Sequence, residues 1–221
     1  MMSIAANIEK IKQQLSQNIK LIAVSKTKPV ETLMEAYNSG QKIFGENKVQ
    51  ELVGKYEQMP KDIEWHMIGH LQSNKVKYII PFVALIHSVD SENLLIEINK
   101  QAAKINKIQP VLLQMFIADE ETKFGFEEAE LNNLLAKYCN QEFPNIEIVG
   151  LMGMATFTDN EEQITNEFAG LKQLFDKVKT NYFSNNESFN QLSMGMSSDY
   201  KIAIANGSNL IRVGSSIFGG R

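Results

Sequence analysis

The sequence is short of the residues that staple or metallate small domains. Cys139 is the one cysteine in 221 residues, so an intrachain disulfide is impossible and a multi-cysteine zinc site is excluded. Its helical setting, with no histidine nearby in sequence, predicts a buried, inert thiol. Positive charge is not in excess: 22 lysines and arginines face 26 acidic residues, a net −4. Nucleic acid and anionic membranes therefore lack the electrostatic footprint they need. No long apolar run occurs, since the stretch around Ile79 to Ile86 is broken by Pro81 and is too short to cross a bilayer. The amino terminus carries Glu9 and Lys10 within a helical pattern, unlike the basic segment and apolar run of a secretory signal. The expectation is a soluble, cytoplasmic protein that binds neither nucleic acid nor membrane. No linker rich in proline, glycine or serine divides the chain, which predicts one domain over 1–221 with no second domain after it.

Hydrophobic residues, at 43%, suffice for a sizeable core. Short β-rich runs alternate with longer helical patterns, the signature of βαβ units and a parallel sheet. The runs predict strands at Lys20–Lys26, Lys42–Glu46, Glu64–Ile68, Ala84–Val89, Val111–Ile117, Glu147–Met152, Gln191–Met194 and Leu210–Val213. Helices are expected from Val30 to Ser39, Lys48 to Met59, Ser73 to Ile79, Glu92 to Ile105, Glu127 to Cys139, Glu161 to Tyr182 and Ser198 to Ala205, after an opening helix up to about Gln17. A crossover helix in each gap between eight strands predicts a single α/β domain of the (β/α)8 TIM-barrel type. The rival is a doubly wound open sheet. Its dinucleotide version needs G-x-G-x-x-G after the first strand, where the chain runs Ser25-Lys26-Thr27-Lys28-Pro29.

Three features could carry chemistry. Lys26 shares the alternating face of Ile22 and Val24; if those point into the barrel, Lys26 points into its mouth, where partial burial favours the neutral, carbonyl-condensing amine. A solvated strand-end lysine is the alternative. Ser193-Met194-Gly195-Met196-Ser197-Ser198-Asp199 breaks from a strand into a short helix, whose first N–H groups can be capped by serine or shared with a phosphate. Arg212-Val213-Gly214-Ser215-Ser216 puts an inward arginine beside a glycine that lets a ligand approach the backbone. A buried arginine needs a partner, and an ion pair with Glu46 or Asp90 is the structural alternative. The loops after strands seven and eight are the usual phosphate site of barrel enzymes. With a Schiff-base lysine across the mouth and an arginine between, the set suits pyridoxal 5′-phosphate (PLP). His66 and His70 have metal-pair spacing, but on a strand leaving into a turn, and a metal site is not expected. Met152, Met154, Met194 and Met196 read as core and pocket lining.

The chain resembles the pyridoxal phosphate homeostasis protein family, single-domain relatives of the amino-terminal barrel of alanine racemase. The resemblance runs from about Leu21 to Arg221 through Ala23-Val24-Ser25-Lys26-Thr27-Lys28-Pro29, Phe44-Gly45-Glu46-Asn47-Lys48-Val49-Gln50-Glu51 and Trp65-His66-Met67-Ile68-Gly69-His70-Leu71-Gln72-Ser73-Asn74-Lys75. It continues through Lys123-Phe124-Gly125, Gly150-Leu151-Met152-Gly153-Met154, Met194-Gly195-Met196-Ser197 and Arg212-Val213-Gly214-Ser215-Ser216-Ile217-Phe218-Gly219. It implies a barrel holding PLP as an internal aldimine on Lys26, without catalytic turnover. By position, Ser197, Gly214 and Ser215 contact the phosphate, Arg212 the ring nitrogen and Asn47 the surroundings of the ring hydroxyl. Lys123 matches a second lysine that handles the cofactor. Ser215 stands where many relatives have threonine, and Lys48 where an aromatic residue is common.

The implied function is a non-catalytic, monomeric PLP carrier. It buffers the cofactor or delivers it to apo PLP-dependent enzymes, with effects on vitamin B6 and amino-acid pools. Arg212 would keep the pyridine nitrogen unprotonated and so weaken the ring as an electron sink. The alternative is a small PLP-dependent racemase, in which Lys28, Lys123 or His66 supplies the second base. A third reading is a cofactor-free Schiff-base barrel acting on phosphorylated sugars.

Overall fold

The computed structural model describes residues 3–118 and 124–220. Eight parallel strands close into a barrel in sequence order, β8 pairing back onto β1. They are β1 (Lys20–Val24), β2 (Ile43–Glu46), β3 (Glu64–Met67), β4 (Leu85–Val89), β5 (Gln109–Gln114), β6 (Ile146–Met152), β7 (Gln191–Ser193) and β8 (Leu210–Val213). Helix α1 (Ile4–Lys12) precedes β1. The crossovers are α2 (Val30–Asn38), α3 (Val49–Gln58), α4 (Val76–Ile79), α5 (Glu92–Ala103), α6 (Glu128–Cys139), α7 (Glu161–Tyr182) and α8 (Tyr200–Ala205). A short α9 (Ser215–Phe218) follows β8. No helix among the described residues is long and apolar enough to cross a membrane.

Local chemistry explains several boundaries. Ser3, Ser91 and Asn160 accept hydrogen bonds from the first-turn N–H groups of α1, α5 and α7, and Glu127 with Glu130 makes a reciprocal cap on α6. β1 stops at Val24, two residues before the expected Lys26, because the chain turns through Thr27 at φ +64° before Pro29 opens α2. The opening helix ends at Lys12, short of Gln17, and a 3-10 turn at Ser73–Lys75 precedes α4. A short helix after β8, α9, was not anticipated from the sequence. Cys139 is exposed, correcting the expected buried thiol: it ends α6 beyond the buried stripe of Leu131, Leu134 and Leu135.

Two apolar clusters divide the strands by their two-residue alternation. Leu21 and Ala23 of β1, Phe44 of β2, and Trp65 and Met67 of β3 join the large cluster under the helices. Ile22, Leu85, Leu112, Val149, Met152 and Leu210 form a second one and fill the barrel interior. Each such buried aliphatic side chain stabilises the fold by about 1.5–3 kcal/mol. The register of β6 on β5 shifts between Val111 and Leu112, so that Val149 and Met152 both face inward across Gly150. At Gly150 the neighbouring strand passes so close that a Cβ would stand 1.7 Å from the Gln191 carbonyl oxygen. Gly150→Ala should therefore force β6 and β7 apart and lower stability by about 3 kcal/mol or more. Urea unfolding at matched protein concentration measures this.

Candidate functional site

The same alternation that fills the barrel sets the site at its carboxyl end. On β1, Ile22 faces the interior and Val24 lines the mouth, so Lys26 follows on that face while Ser25 turns outward. The mouth is a cavity of about 670 Å³ lined by Lys26, Asn47, Ser197, Arg212, Gly214 and Ser215, which brings together all six residues singled out in the sequence. The nitrogen of the half-buried Lys26 makes no hydrogen bond or ion pair with the described residues. Met154 and Met196 also line the cavity, and Met152 and Met194 are buried in the core. Lys123 lies outside the described residues. Lys48 is an exposed residue at the start of α3 and does not line the cavity.

A buried framework behind Lys26 fixes its turn. Lys55 of α3 donates from Nζ to Glu46 Oε1 at 2.6 Å and to the Ser25 carbonyl at 2.8 Å. The Ser25 hydroxyl donates to the same Glu46 oxygen at 2.6 Å. Glu51 receives the Thr27 N–H at 2.8 Å, holding the left-handed residue next to Lys26. Burial pushes the Glu46 carboxyl above the usual carboxylate range, against the downward pull of Lys55 and Ser25. Glu46 follows Phe44 on the outward face of β2, so it cannot meet Arg212 inside the barrel. Asp90 is engaged with His70 at 2.8 Å. The ion pair considered for Arg212 from sequence is thus absent.

Arg212 is buried inside the barrel on neutral oxygens alone. Its Nη1 donates to the Ser193 carbonyl at 3.0 Å and to Ser193 Oγ at 2.5 Å, and Nη2 donates to the Gly153 carbonyl at 3.0 Å. A guanidinium has five N–H groups, so the Nε–H and one Nη2–H keep no acceptor among the described residues. Burial lowers its pKa to about 10, partly opposed by Asp199, so it stays charged at neutral pH.

Below Arg212 runs a polar chain not anticipated from sequence. Ser193 Oγ lies 3.0 Å from His87 Nδ1, and His87 Nε2 lies 3.0 Å from His66 Nδ1. Because Arg212 can only donate, Ser193 turns its own hydrogen to His87 Nδ1. His87 then carries its hydrogen on Nε2 and donates to His66. Both imidazoles stay neutral: burial, then His66 and Arg212, holds His87 well below its ordinary pKa, and burial with Lys20 lowers His66 to about 3. His66, His87, Ser193 and Arg212 share the inward face, opposite Trp65, Ile86, Leu192 and Ile211 of the outer core. That alternation was the available signal. No cluster of potential metal ligands occurs among the described residues.

Across the mouth, the loops after β7 and β8 are tied together by the Gly214 N–H donating to Ser197 Oγ at 3.1 Å. Ser198 does not start α8 as expected. Asp199 reaches back to the Met196 N–H at 2.5 Å, and the helix begins at Tyr200. The backbone N–H groups of Ser197, Ser198, Ser215 and Ser216 make no hydrogen bond with the described residues, and all four residues line the cavity. Such a concave array of free donors suits an anion. Beside it, Asn47 Oδ1 is buried without a partner among the described residues.

Two predictions test this framework. Lys55→Ala strands the Glu46 carboxylate and should cost about 3–5 kcal/mol in urea unfolding, the usual penalty for breaking a buried pair. The two buried histidines bind protons in the unfolded chain below pH 6.5 but not in the folded one until about pH 3 for His66. The unfolded state thus takes up more protons as pH falls, and the histidine contribution to stability is lost in that window. The urea midpoint of the wild type should fall more steeply from pH 7 to pH 4 than that of His87→Gln.

Comparison with known proteins adds to this geometry. The sequence model described as alanine racemase, N-terminal domain, matches residues 1–221. The pyridoxal phosphate homeostasis protein of Aquifex aeolicus is 44% identical over 203 residues, 91% of this chain and 87% of that one. That of Escherichia coli is 35% identical over 238 residues, covering 100% and 98%. Among solved structures, PipY of Synechococcus elongatus, with PLP bound, superposes at TM-score 0.90 with 33% identity, covering 98% of this chain and 100% of that one. Alanine racemase of Bartonella henselae, at 15% identity and TM-score 0.74, shares the fold over 98% of this chain and 58% of its own. The chain belongs to the alanine racemase N-terminal domain family, among the pyridoxal phosphate homeostasis proteins.

Proposed function

We propose that this protein, acting as a single domain over 1–221, binds PLP reversibly at Lys26 and buffers or delivers it without turning over an amino acid. The observation that carries this reading is the buried Arg212 guanidinium, which lines the cavity, pairs with no carboxylate among the described residues and keeps two N–H groups for an acceptor. The residues present fit the cofactor. Ser197, Gly214 and Ser215, with the free N–H groups around them, would hold the phosphate, and Arg212 would donate to the ring nitrogen. The unpartnered Asn47 Oδ1 would accept from the ring hydroxyl. When bound, PLP supplies an aldehyde that condenses reversibly with a primary amine.

The protein's own contributions follow from its geometry. Lys26 presents an amine free of hydrogen bonds on a turn pinned by Lys55, Glu46 and Glu51. Arg212 stays protonated and keeps its protons, so it would donate a hydrogen bond to the ring nitrogen without protonating it, which disfavours carbanion chemistry. Two of the three residues considered as a racemase's second base are already engaged. Lys28 Nζ donates to the Phe218 and Gly220 carbonyls at 3.3 and 3.0 Å. His66 is buried against His87 inside the barrel. These engagements support a carrier over an enzyme.

Titrating the purified protein with PLP should shift the cofactor's absorbance to longer wavelength, and borohydride should fix it on Lys26. Lys26→Ala should abolish both. A wild type that leaves the spectrum of free PLP unchanged, or an unaltered signal in Lys26→Ala, would contradict the proposal.

A further inference from the structure

The carrier reading leaves one pair of cavity-mouth groups unused. His70 and Asp90 lie just past the carboxyl ends of β3 and β4, and His70 lines the same cavity as Lys26. His70 Nδ1 lies 2.8 Å from Asp90 Oδ2. A carboxylate only accepts, so in the neutral imidazole Nδ1 carries the hydrogen and Nε2 the lone pair. Asp90 is largely buried, whereas the His70 side chain is 52% exposed and open to solvent at the mouth.

The loop that carries His70 is fixed in place. The Ile68 N–H donates to the Glu46 carbonyl at 2.9 Å, and the Ser88 hydroxyl donates to the Gly69 carbonyl at 2.5 Å. Gly69 packs so closely on Asn47 that a Cβ would stand 2.6 Å from the Asn47 carbonyl oxygen. The Phe124 ring lies against the imidazole at 5.0 Å between centroids. The other ionisable side chains among the described residues lining the cavity are Lys26, Lys28 and Arg212. Lys28 is tied to two carbonyls, and Arg212 does not give up its proton at neutral pH. His70 is thus the cavity-lining group placed to accept a proton and return it.

We infer that the His70–Asp90 pair is a general acid–base device that speeds both attachment and release of an aldehyde at Lys26. The inference rests on the carrier reading above. In attachment, the Lys26 nitrogen forms a bond to the carbonyl carbon and loses two hydrogens, while the carbonyl oxygen leaves with them as one water. His70 Nε2 takes a proton from nitrogen and hands it to the departing hydroxyl. In release, the same nitrogen takes a proton from the attacking water and passes it to the amine. Asp90 fixes the tautomer and steadies the transient imidazolium. No oxidant or further reactant is required. A group that serves both directions changes the two rates together and leaves their ratio untouched, as suits a buffer.

Stopped-flow absorbance on full-length protein, with PLP uptake on mixing and release on dilution, tests this in the wild type, His70→Ala, His70→Gln and Asp90→Asn. Both rates should fall on the order of 10²-fold in the His70 variants, the lower end of general acid–base effects, with Kd unchanged. Asp90→Asn should slow both by less. Free imidazole should restore part of the rate in His70→Ala, which a purely structural role would not show. Wild-type rates in the His70 variants, or a loss of affinity through release alone, would overturn the inference and leave the carrier reading intact. A wild type that takes up no PLP would overturn both.

Discussion

A charged guanidinium inside the barrel, in ion-pair contact with no carboxylate among the described residues, is the constraint on which the rest of the site depends. Removing such a charge from water is costly unless its hydrogens find oxygens. Arg212 meets the cost with Ser193 and the Gly153 carbonyl, which requires β7 and the end of β6 to present those oxygens inward. The arrangement remains incomplete on the cavity side. That incompleteness makes the mouth receptive to a ligand with a lone pair, and the free N–H groups opposite make it receptive to an anion.

Strand alternation distributes the charges. One residue's difference in parity separates Ser25, which faces outward to Glu46 and Lys55, from Lys26, which faces the cavity. The same rule puts Glu46 beyond the reach of Arg212 and lets His66, His87 and Ser193 form a directed chain beneath it. Buried hydrogen-bonded polar groups hold one geometry, although Glu46 Oε2 has no partner among the described residues. The framework therefore orients Lys26 and Arg212 from behind, while both keep donors for the ligand.

The barrel was legible because eight strand runs and their crossovers recur at regular spacing, and because the inward parity of Lys26 and Arg212 follows from Ile22 and Leu210. β1 was read too long where a positive φ at Thr27 follows it, and α8 was started too early where Asp199 accepts from the Met196 N–H, since these depend on contacts made in three dimensions. α9 was hidden by the composition of its segment, whose glycines flank a four-residue helix. The partners of Glu46 and of the histidines were missed for another reason. Parity says which face a side chain takes, whereas barrel closure decides which strands bring their inward residues together. Lys55, nine residues past Glu46, meets it only because α3 folds back on β2.

The account joins a free amine, a donor-only arginine and an anion cradle around one cavity, with residues behind them engaged in holding shape. Such a site suits retention and exchange of PLP, in keeping with the relatives named pyridoxal phosphate homeostasis proteins. A crystal structure of the wild type grown with PLP at neutral pH is the most direct measurement. The account predicts density continuous from Lys26 Nζ, the ring nitrogen against Arg212 and the phosphate between Ser197 and Ser215. PLP seated elsewhere, or with its phosphate on Arg212 and its ring away from Lys26, would contradict it.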